Sequence, residues 1–253
     1  MTRHFLADTA ALLGRSLRHI SRSPDTVITT TIMPIAFLLL FVYVFGGAIR
    51  TGSDRYVNYL LPGILLITVV SGISYTAYRL FLDLKGGIFE RFRSMPIARS
   101  AVLWAHVLTS LVANLISLVV VVLVALAMGF RSGAGPLAWL AVTGILLLFI
   151  LALTWLAVIP GLTATSVDGA SAFSYPLILL PFVSSAFVPT DTMPGPVRAF
   201  AEHQPVTSIV NALRGLLGGQ PVGDEVWTAL AWCAGLLVVA YGGAMVVHRR
   251  RVG

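Results

Sequence analysis

The sequence predicts an all-α membrane protein with six transmembrane helices, and three observations support this. Hydrophobic residues make up 57% of the 253-residue chain and charged residues only 11%, where an ordinary soluble domain carries about 25% charged residues. The charges lie at the chain ends and in short interruptions between long apolar segments. These segments lack the period-two alternation of a barrel strand, so helices are expected to satisfy the backbone in lipid.

Six segments are long enough to cross a hydrocarbon layer of about 30 Å, which takes roughly 20 residues. Arg79 is the one charged residue inside them, and it lies close enough to a span end to reach the interface. The six predicted spans are 27–49, 59–82, 102–128, 136–160, 170–188 and 226–247.

The positive charges predict the orientation of these spans. Twelve of the 17 Lys and Arg residues fall on the side of the N-terminus, and the other five are Arg50, Arg55, Arg131, Arg198 and Arg214. Because cytoplasmic loops carry the excess of Lys and Arg, we expect a bacterial plasma (inner) membrane protein with both termini in the cytoplasm.

An amphipathic helix is predicted at 1–24, before the first span. Its charged residues and its apolar residues each recur at helical spacing, so that they fall on opposite faces. An ordinary surface helix would show the same pattern, but the chain offers no soluble core for it to cover, which favours a helix on the cytoplasmic membrane surface. The charged face comprises Asp8, Arg15, Arg18 and Arg22, and the apolar face comprises Leu6, Ala10, Leu13, Leu17 and Ile20.

A charged cytoplasmic loop at 83–99 joins the second and third spans. Gly86 and Gly87 allow a sharp reversal of the chain, Pro96 ends any helix, and the residues between carry both apolar and charged groups. Such an element suits docking onto a soluble partner. The composition of the loop fits a second interpretation equally well, in which the loop is a positively charged anchor that only sets the topology.

The outer segment 189–225 is rich in proline and contains one short helical stripe. Pro205 opens the stripe and Gly218 with Gly219 closes it. A helix this short cannot span, so we expect a re-entrant segment that dips into the outer leaflet or packs over the bundle, as a lid over an exit path or as simple packing. The stripe comprises Val206, Ile209, Val210, Leu213, Leu216 and Leu217.

Several sequence motifs of catalysis and ion transport are absent. The only Lys, Lys85, follows Leu84, so the chain has no GxxxxGK[ST] phosphate-binding loop and any ATP must be hydrolysed elsewhere. HExxH is absent and Cys233 is the only cysteine, so neither a metal site nor a disulfide is expected. The carboxylates lie at span ends or in loops, which argues against an ion-coupled secondary transporter. The scattered basic residues argue against nucleic-acid binding.

Two interpretations of the span interiors stay open. An intramembrane enzyme acting on lipid-linked substrates would use Ser171, with His106 or His248 as base, but a serine among small residues in a membrane helix is more often a packing contact. The uncharged polar and aromatic residues could line a path for an amphipathic molecule or be ordinary helix contacts. They are Tyr43, Ser71, Ser74, Tyr75, Tyr78 and Asn114.

Two stretches of the chain resemble the type-2 ABC exporter permeases of the daunorubicin-resistance kind. One is Glu-Arg-Phe-Arg-Ser-Met-Pro-Ile-Ala-Arg at 90–99, and the more specific one begins Pro-Phe-Val-Ser-Ser-Ala-Phe-Val-Pro at 181 and continues to 207. Other residues also occur in the order expected for such permeases, namely Phe-Gly-Gly at 45–47 and Gly161, Leu162, Ser166 and Asp168. Gln204 stands where such permeases often carry Asn, and Asp168 where they usually carry Glu.

The resemblance implies a single transmembrane domain over 1–253 that exports a drug, antibiotic or lipid-like compound. The permease would form a homodimer in the membrane lipid and bind two copies of a separately encoded ABC ATPase. That partner would bind ATP and Mg, with no cofactor held by this chain.

The resemblance also implies two sets of functional residues. The residues coupled to the ATPase would be Gly87, Phe89, Glu90, Arg91, Phe92, Arg93 and Pro96, with Arg15 and Arg18 of the amphipathic helix. The substrate pathway would lie at the dimer interface of the first, second and fifth spans. We assign to it Tyr43, Phe45, Ser71, Tyr75, Tyr78, Phe173, Phe182 and Phe187.

Overall fold

The computed structural model describes residues 25–47, 55–86 and 99–252, and within these ranges it contains helices and turns but no β-strand. The elements in chain order are α1 (Asp25–Leu40), a π-helical turn (Phe41–Phe45), α2 (Tyr56–Lys85), α3 (Arg99–Ala127), α4 (Pro136–Thr163), α5 (Val167–Ala172), α6 (Ser174–Leu179), two 3-10 turns (Leu180–Val183 and Thr190–Thr192), α7 (Gly195–His203), α8 (Pro205–Gly218) and α9 (Glu225–Val252).

Five helical segments of the described residues are long and apolar enough to cross a membrane. They match the first, second, third, fourth and sixth predicted spans to within a few residues, so the all-helical membrane fold is confirmed at this level. The predicted amphipathic helix at 1–24 and the loop residues 87–98 lie outside the described residues.

α2 is the central helix of the bundle. Nearly every side chain from Tyr56 to Val70 is buried, because α1, α3, α4, α5 and α8 all pack against α2. A separate apolar cluster joins α3, α4 and α9 around Trp155, whose ring makes edge contacts with Trp104 and Tyr241 at 5.1 and 4.8 Å. α9 therefore attaches mainly through α4, at the periphery.

The prediction of one continuous helix over 170–188 is wrong. The chain breaks into α5, α6 and a 3-10 turn, and then runs without helix through residues 184–187. Pro176 and Pro181 each remove a backbone donor from the helical ladder. Ser166 starts the segment afresh, since its hydroxyl accepts a hydrogen bond from the Gly169 N–H at 3.0 Å. A hydropathy window sees only the apolar side chains and so misses these breaks.

The stripe predicted in the outer segment forms a helix with the expected bounds. α8 runs from Pro205 to Gly218 and buries Val206, Ile209, Val210, Leu213 and Leu217 against the bundle. Gly219 ends it in the left-handed conformation, with φ of +68°. The structure thus confirms the helix itself.

Candidate functional site

An aromatic cluster joins the first helix to the broken fifth segment. Phe187 stacks on Phe41 with ring centroids 4.7 Å apart and on Phe182 at 4.8 Å. Phe37 meets Phe182 edge-on at 5.5 Å, and Phe45 lies 5.5 Å from Phe41. The structure therefore brings together three of the predicted pathway residues, at 45, 182 and 187. It adds Phe37 and Phe41, which span hydropathy alone did not single out.

The π-helical turn brings part of this cluster into position. It runs from Phe41 to Phe45 at the end of α1 and carries three aromatic residues in five positions. A π-helical turn widens the helix locally and recurs at functional sites. Phe41 packs onto the cluster, Phe45 is 40% exposed, and Tyr43 is 71% exposed, so Tyr43 lies outside the cluster.

Tyr75 and Tyr78, two other predicted pathway residues, lie at a distance from this cluster. Tyr75 and Tyr78 form a half-buried pair at 5.9 Å on α2, and the Arg79 guanidinium sits 5.8 Å from the Tyr75 ring centre. Tyr56 and Tyr75 are 19 residues apart on one helix, which corresponds to about 28 Å. Ser71 and Phe173, both half-buried, complete the predicted list. The Tyr75 and Tyr78 pair and the aromatic cluster therefore lie at different levels along α2.

A non-helical turn, residues 184–187, lies beside the aromatic cluster, and its main chain is held by polar groups. We call it the outer turn. Tyr59 donates its hydroxyl proton to the Ser185 carbonyl at 2.9 Å, and Tyr56 donates to the Phe187 carbonyl at 3.0 Å. The Ser185 N–H donates to Thr207 on α8 at 3.4 Å. Three backbone groups of the turn that no longer bond within a helix are thus satisfied by α2 and α8.

Arg214 of α8 is the centre of this polar network. Its guanidinium donates to the carbonyl oxygens of Ser185 at 2.6 Å, Ala186 at 3.4 Å and Tyr59 at 3.2 Å. It also donates to Asn211 at 3.1 Å and lies 3.7 Å from the centre of the Tyr59 ring. One side chain therefore ties α8 to both α2 and the outer turn. The sequence alone marks Arg214 only as one of the five positive charges on the side opposite the N-terminus.

The environment of Arg214 is unusual for a cation because its acceptors are carbonyl oxygens and an amide. Burial lowers the pKa of the guanidinium, and the nearby tyrosines partly oppose this. Arg is not deprotonated in proteins, so the side chain stays charged. A charged donor makes the stronger kind of hydrogen bond to each carbonyl.

Gln204, which departs from the expected Asn, also holds the broken segment. Its side chain is buried, and its amide nitrogen donates to the Leu180 carbonyl at 3.4 Å and to the Val183 carbonyl. On the exposed face of α7, Arg198 donates to Glu202 at 2.7 Å, and this hydrogen bond holds the pKa of Glu202 below its ordinary value.

Polar side chains also pair inside the bundle. The Thr76 hydroxyl lies 2.5 Å from that of Ser110, and the Asn114 amide nitrogen donates to the Ser110 carbonyl at 2.9 Å. Thr30 and Ser117 join α1 to α3 at 3.1 Å. The Thr76–Ser110 and Thr30–Ser117 pairs are contacts between helices, whereas the Asn114 hydrogen bond stays within α3 and its amide packs on Gly72 of α2.

The residues of the alternative enzyme have other partners. The Ser171 hydroxyl donates to the Val167 carbonyl at 3.4 Å within α5. The His106 ring lies 3.1 Å from the Asp83 carboxylate, between α3 and α2. Ser171 and His106 are thus each used within or between helices, and these contacts do not join Ser171 to His106.

Comparison with known proteins identifies the family. The sequence profile of the ABC-2 type transporters matches residues 7–217. The chain belongs to the ABC-2 type transporter family. This is a family of transport permease subunits, so the membrane-embedded fold and the resemblance inferred from the sequence are both confirmed.

Relatives of this ABC-2 chain are named as permeases, two of them for drug resistance. It is 30% identical over 247 residues to a daunorubicin resistance ABC transporter permease protein of Streptomyces coeruleorubidus, covering 96% of this chain and 86% of that protein. It is 28% identical over 252 residues to a probable doxorubicin resistance ABC transporter permease protein of Mycobacterium tuberculosis, covering 98% and 90%. A putative transport permease of Cyanophora paradoxa is 25% identical over 216 residues, covering 83% and 74%.

Proposed function

We propose that this chain is the membrane-spanning permease subunit of an ATP-driven exporter for a hydrophobic or amphipathic compound such as a drug, an antibiotic or a lipid-like molecule. Its membership of the ABC-2 family carries the proposal. The energy would come from a separate ABC ATPase that binds ATP and Mg, because this sequence has no phosphate-binding loop of its own.

The broken fifth segment would complete a sixth crossing of the membrane. The start of α6 touches the cytoplasmic half of α2, where Ser174 donates to Ser74 at 3.1 Å. The end of the broken segment touches α2 at the other end, where Tyr59 donates to Ser185 at 2.9 Å. Residues 59 and 74 are separated by about 22 Å along the helix. Six crossings return both termini to the cytoplasmic side of the plasma (inner) membrane, in agreement with the distribution of Lys and Arg. α8 would be the re-entrant part of the outer segment.

A second copy of this chain would cover a face made of the large apolar side chains that α1, its π-helical turn and α6 leave exposed. They are Ile32 (63%), Met33 (58%), Tyr43 (71%), Tyr175 (66%) and Leu179 (62%). This face is continuous with the aromatic cluster through the Phe37 and Phe182 contact. In a homodimer the two clusters would face a shared pathway for the cargo, and the predicted residues Phe45, Phe182 and Phe187 would line its outer part.

The cytoplasmic loop 83–99 would receive the force from two ATPase subunits. Asp83 of α2 and His106 of α3 lie 3.1 Å apart, which holds together the two helices that the loop connects. A movement of the loop would therefore pass to α2, the central helix. Gly87, Phe89, Glu90, Arg91, Phe92, Arg93 and Pro96, together with Arg15 and Arg18, are the proposed contacts with the ATPase.

Co-purification with the ATPase tests this function. The chain and its partner ABC ATPase, produced together and extracted in mild detergent, should elute as one complex with two copies of each subunit. Reversing both charges, with Glu90→Arg and Arg91→Glu, should abolish efflux of doxorubicin, used as the probe because a relative is named for resistance to it. Reversal of Arg198 and Glu202 on the exposed outer helix is the matched control and should leave efflux intact. A chain that elutes without the ATPase, or full efflux by the first variant, would contradict the proposal.

A further inference from the structure

The outer turn is held differently on its two sides. On the α1 side it packs through aromatic rings, since Phe187 stacks on Phe41 at 4.7 Å. On the α2 and α8 side its main chain accepts hydrogen bonds from Arg214, Tyr59 and Tyr56 at 2.6, 2.9 and 3.0 Å. The Ser185 hydroxyl adds a bond to Asn211 of α8 at 2.7 Å.

These two kinds of contact differ in what can replace them. Lipid tails and hydrophobic cargo are as apolar as an aromatic side chain, so rings that separate in the membrane find new partners at little cost. The carbonyl groups of the outer turn find no such replacement, because an unpaired backbone group in an apolar environment is expensive. The seam between α1 and the turn is therefore the weaker one.

The shape of α1 supports movement at that seam. The helix changes to a π-helical turn at Phe41–Phe45, where the cluster begins, and such turns are common places for helices to bend. By contrast, α2 is buried along its whole outer half at the level of the turn.

We propose that the outer end of the pathway opens between α1 and the outer turn, while α2, the turn and α8 move as one body joined by Arg214. Arg214 is then a positioning residue that keeps the turn on α2. This inference rests on the proposed export function and names the place where cargo would leave.

Cysteine labelling of the chain alone tests the inference. A Cys233→Ser background removes the only native thiol, and Phe187→Cys and Ser185→Cys then place one thiol on each side of the turn. Both positions are buried to a similar degree, at 3% and 6% exposure, so their labelling rates report which side opens. Phe130→Cys controls for the loss of a ring, since Phe130 is equally buried outside the turn. The reagent is a polar maleimide applied to open membrane fragments, which it enters from both faces.

The Phe187→Cys thiol should react at least about tenfold faster than the Ser185→Cys and Phe130→Cys thiols. A tenfold ratio of labelling rates corresponds to the loss of about one charge-assisted hydrogen bond. Adding Arg214→Gln should raise the Ser185→Cys rate by about the same factor and leave the Phe187→Cys rate unchanged. Arg214→Lys and Tyr59→Phe should give smaller increases in the Ser185→Cys labelling rate. They replace Arg214→Gln in this test if that variant does not fold.

Equal rates for Phe187→Cys and Ser185→Cys, or a Ser185→Cys rate that none of these variants raises, would overturn the inference. The labelling needs neither ATP nor the ATPase. Its failure would therefore leave the export proposal standing, whereas loss of the ATPase complex would remove the export proposal.

Discussion

Gly72 on α2 packs directly on the Asn114 amide of α3, and this contact supports a prediction about the bundle. A Cβ at position 72 would overlap the amide oxygen and lie 2.8 Å from its carbon. Asn114 is 2% exposed, and its oxygen has no hydrogen-bond partner among the residues that the structure describes, although its nitrogen donates to Ser110. The pair is thus tightly packed and incompletely hydrogen-bonded.

Gly72→Ala should destabilise the bundle by about 1–2 kcal/mol. Overpacking a core costs about 1–3 kcal/mol, and the better helix propensity of Ala returns up to about 1 kcal/mol. Asn114→Ala should stay within about 1 kcal/mol of the wild type, because it loses a modest membrane hydrogen bond but removes an unpaired buried oxygen. The double variant has no overlap and should be at least as stable as Asn114→Ala alone.

Unfolding in mixed detergent micelles, followed by the fluorescence of the five Trp residues, measures these free energies. Gly144→Ala on α4 is the matched control, since a Cβ there meets nothing within 4 Å, and it should not destabilise. If the effects of Gly72→Ala and Asn114→Ala simply add, within about 0.5 kcal/mol, the two positions are not in contact as described and the reasoning is wrong.

Two further predictions concern the ends of the bundle. Gly219→Ala should lower the free energy of unfolding by at least about 1 kcal/mol more than Gly223→Ala in the same assay. Both glycines have positive φ, but only a Cβ at position 219 would press against the Gly133 carbonyl. Equal losses for the two variants would contradict this close approach. His106→Gln should lower stability by less than about 1 kcal/mol, since its partner Asp83 is partly exposed, and a larger loss would show that the pair is more than a surface contact.

The sequence predicted the long helices because their apolar length is a direct consequence of the membrane. It predicted α8 equally well, since the stripe and its closing glycines are local signals. It missed the breaks within 170–188, although Pro176 and Pro181 are visible in the sequence, because hydropathy was given more weight than backbone hydrogen bonding. Weighing the prolines would have predicted a broken segment here.

The candidate site was only partly predictable. Phe182 and Phe187 were chosen for their place in a recognisable stretch, and they lie in the aromatic cluster. Tyr43 shares a turn with Phe45 but faces outward, which only the register of the π-helical turn decides. Arg214 was missed because its role depends on carbonyl groups that become free when a distant helix breaks, and no local pattern in α8 signals that.

Transport by purified components tests the central claim most directly. The chain is reconstituted in lipid vesicles with and without its ATPase, and doxorubicin movement is followed by fluorescence with and without ATP and Mg. The account predicts directional movement only when both proteins and ATP are present. Movement or chemical change of the compound by the chain alone would contradict it.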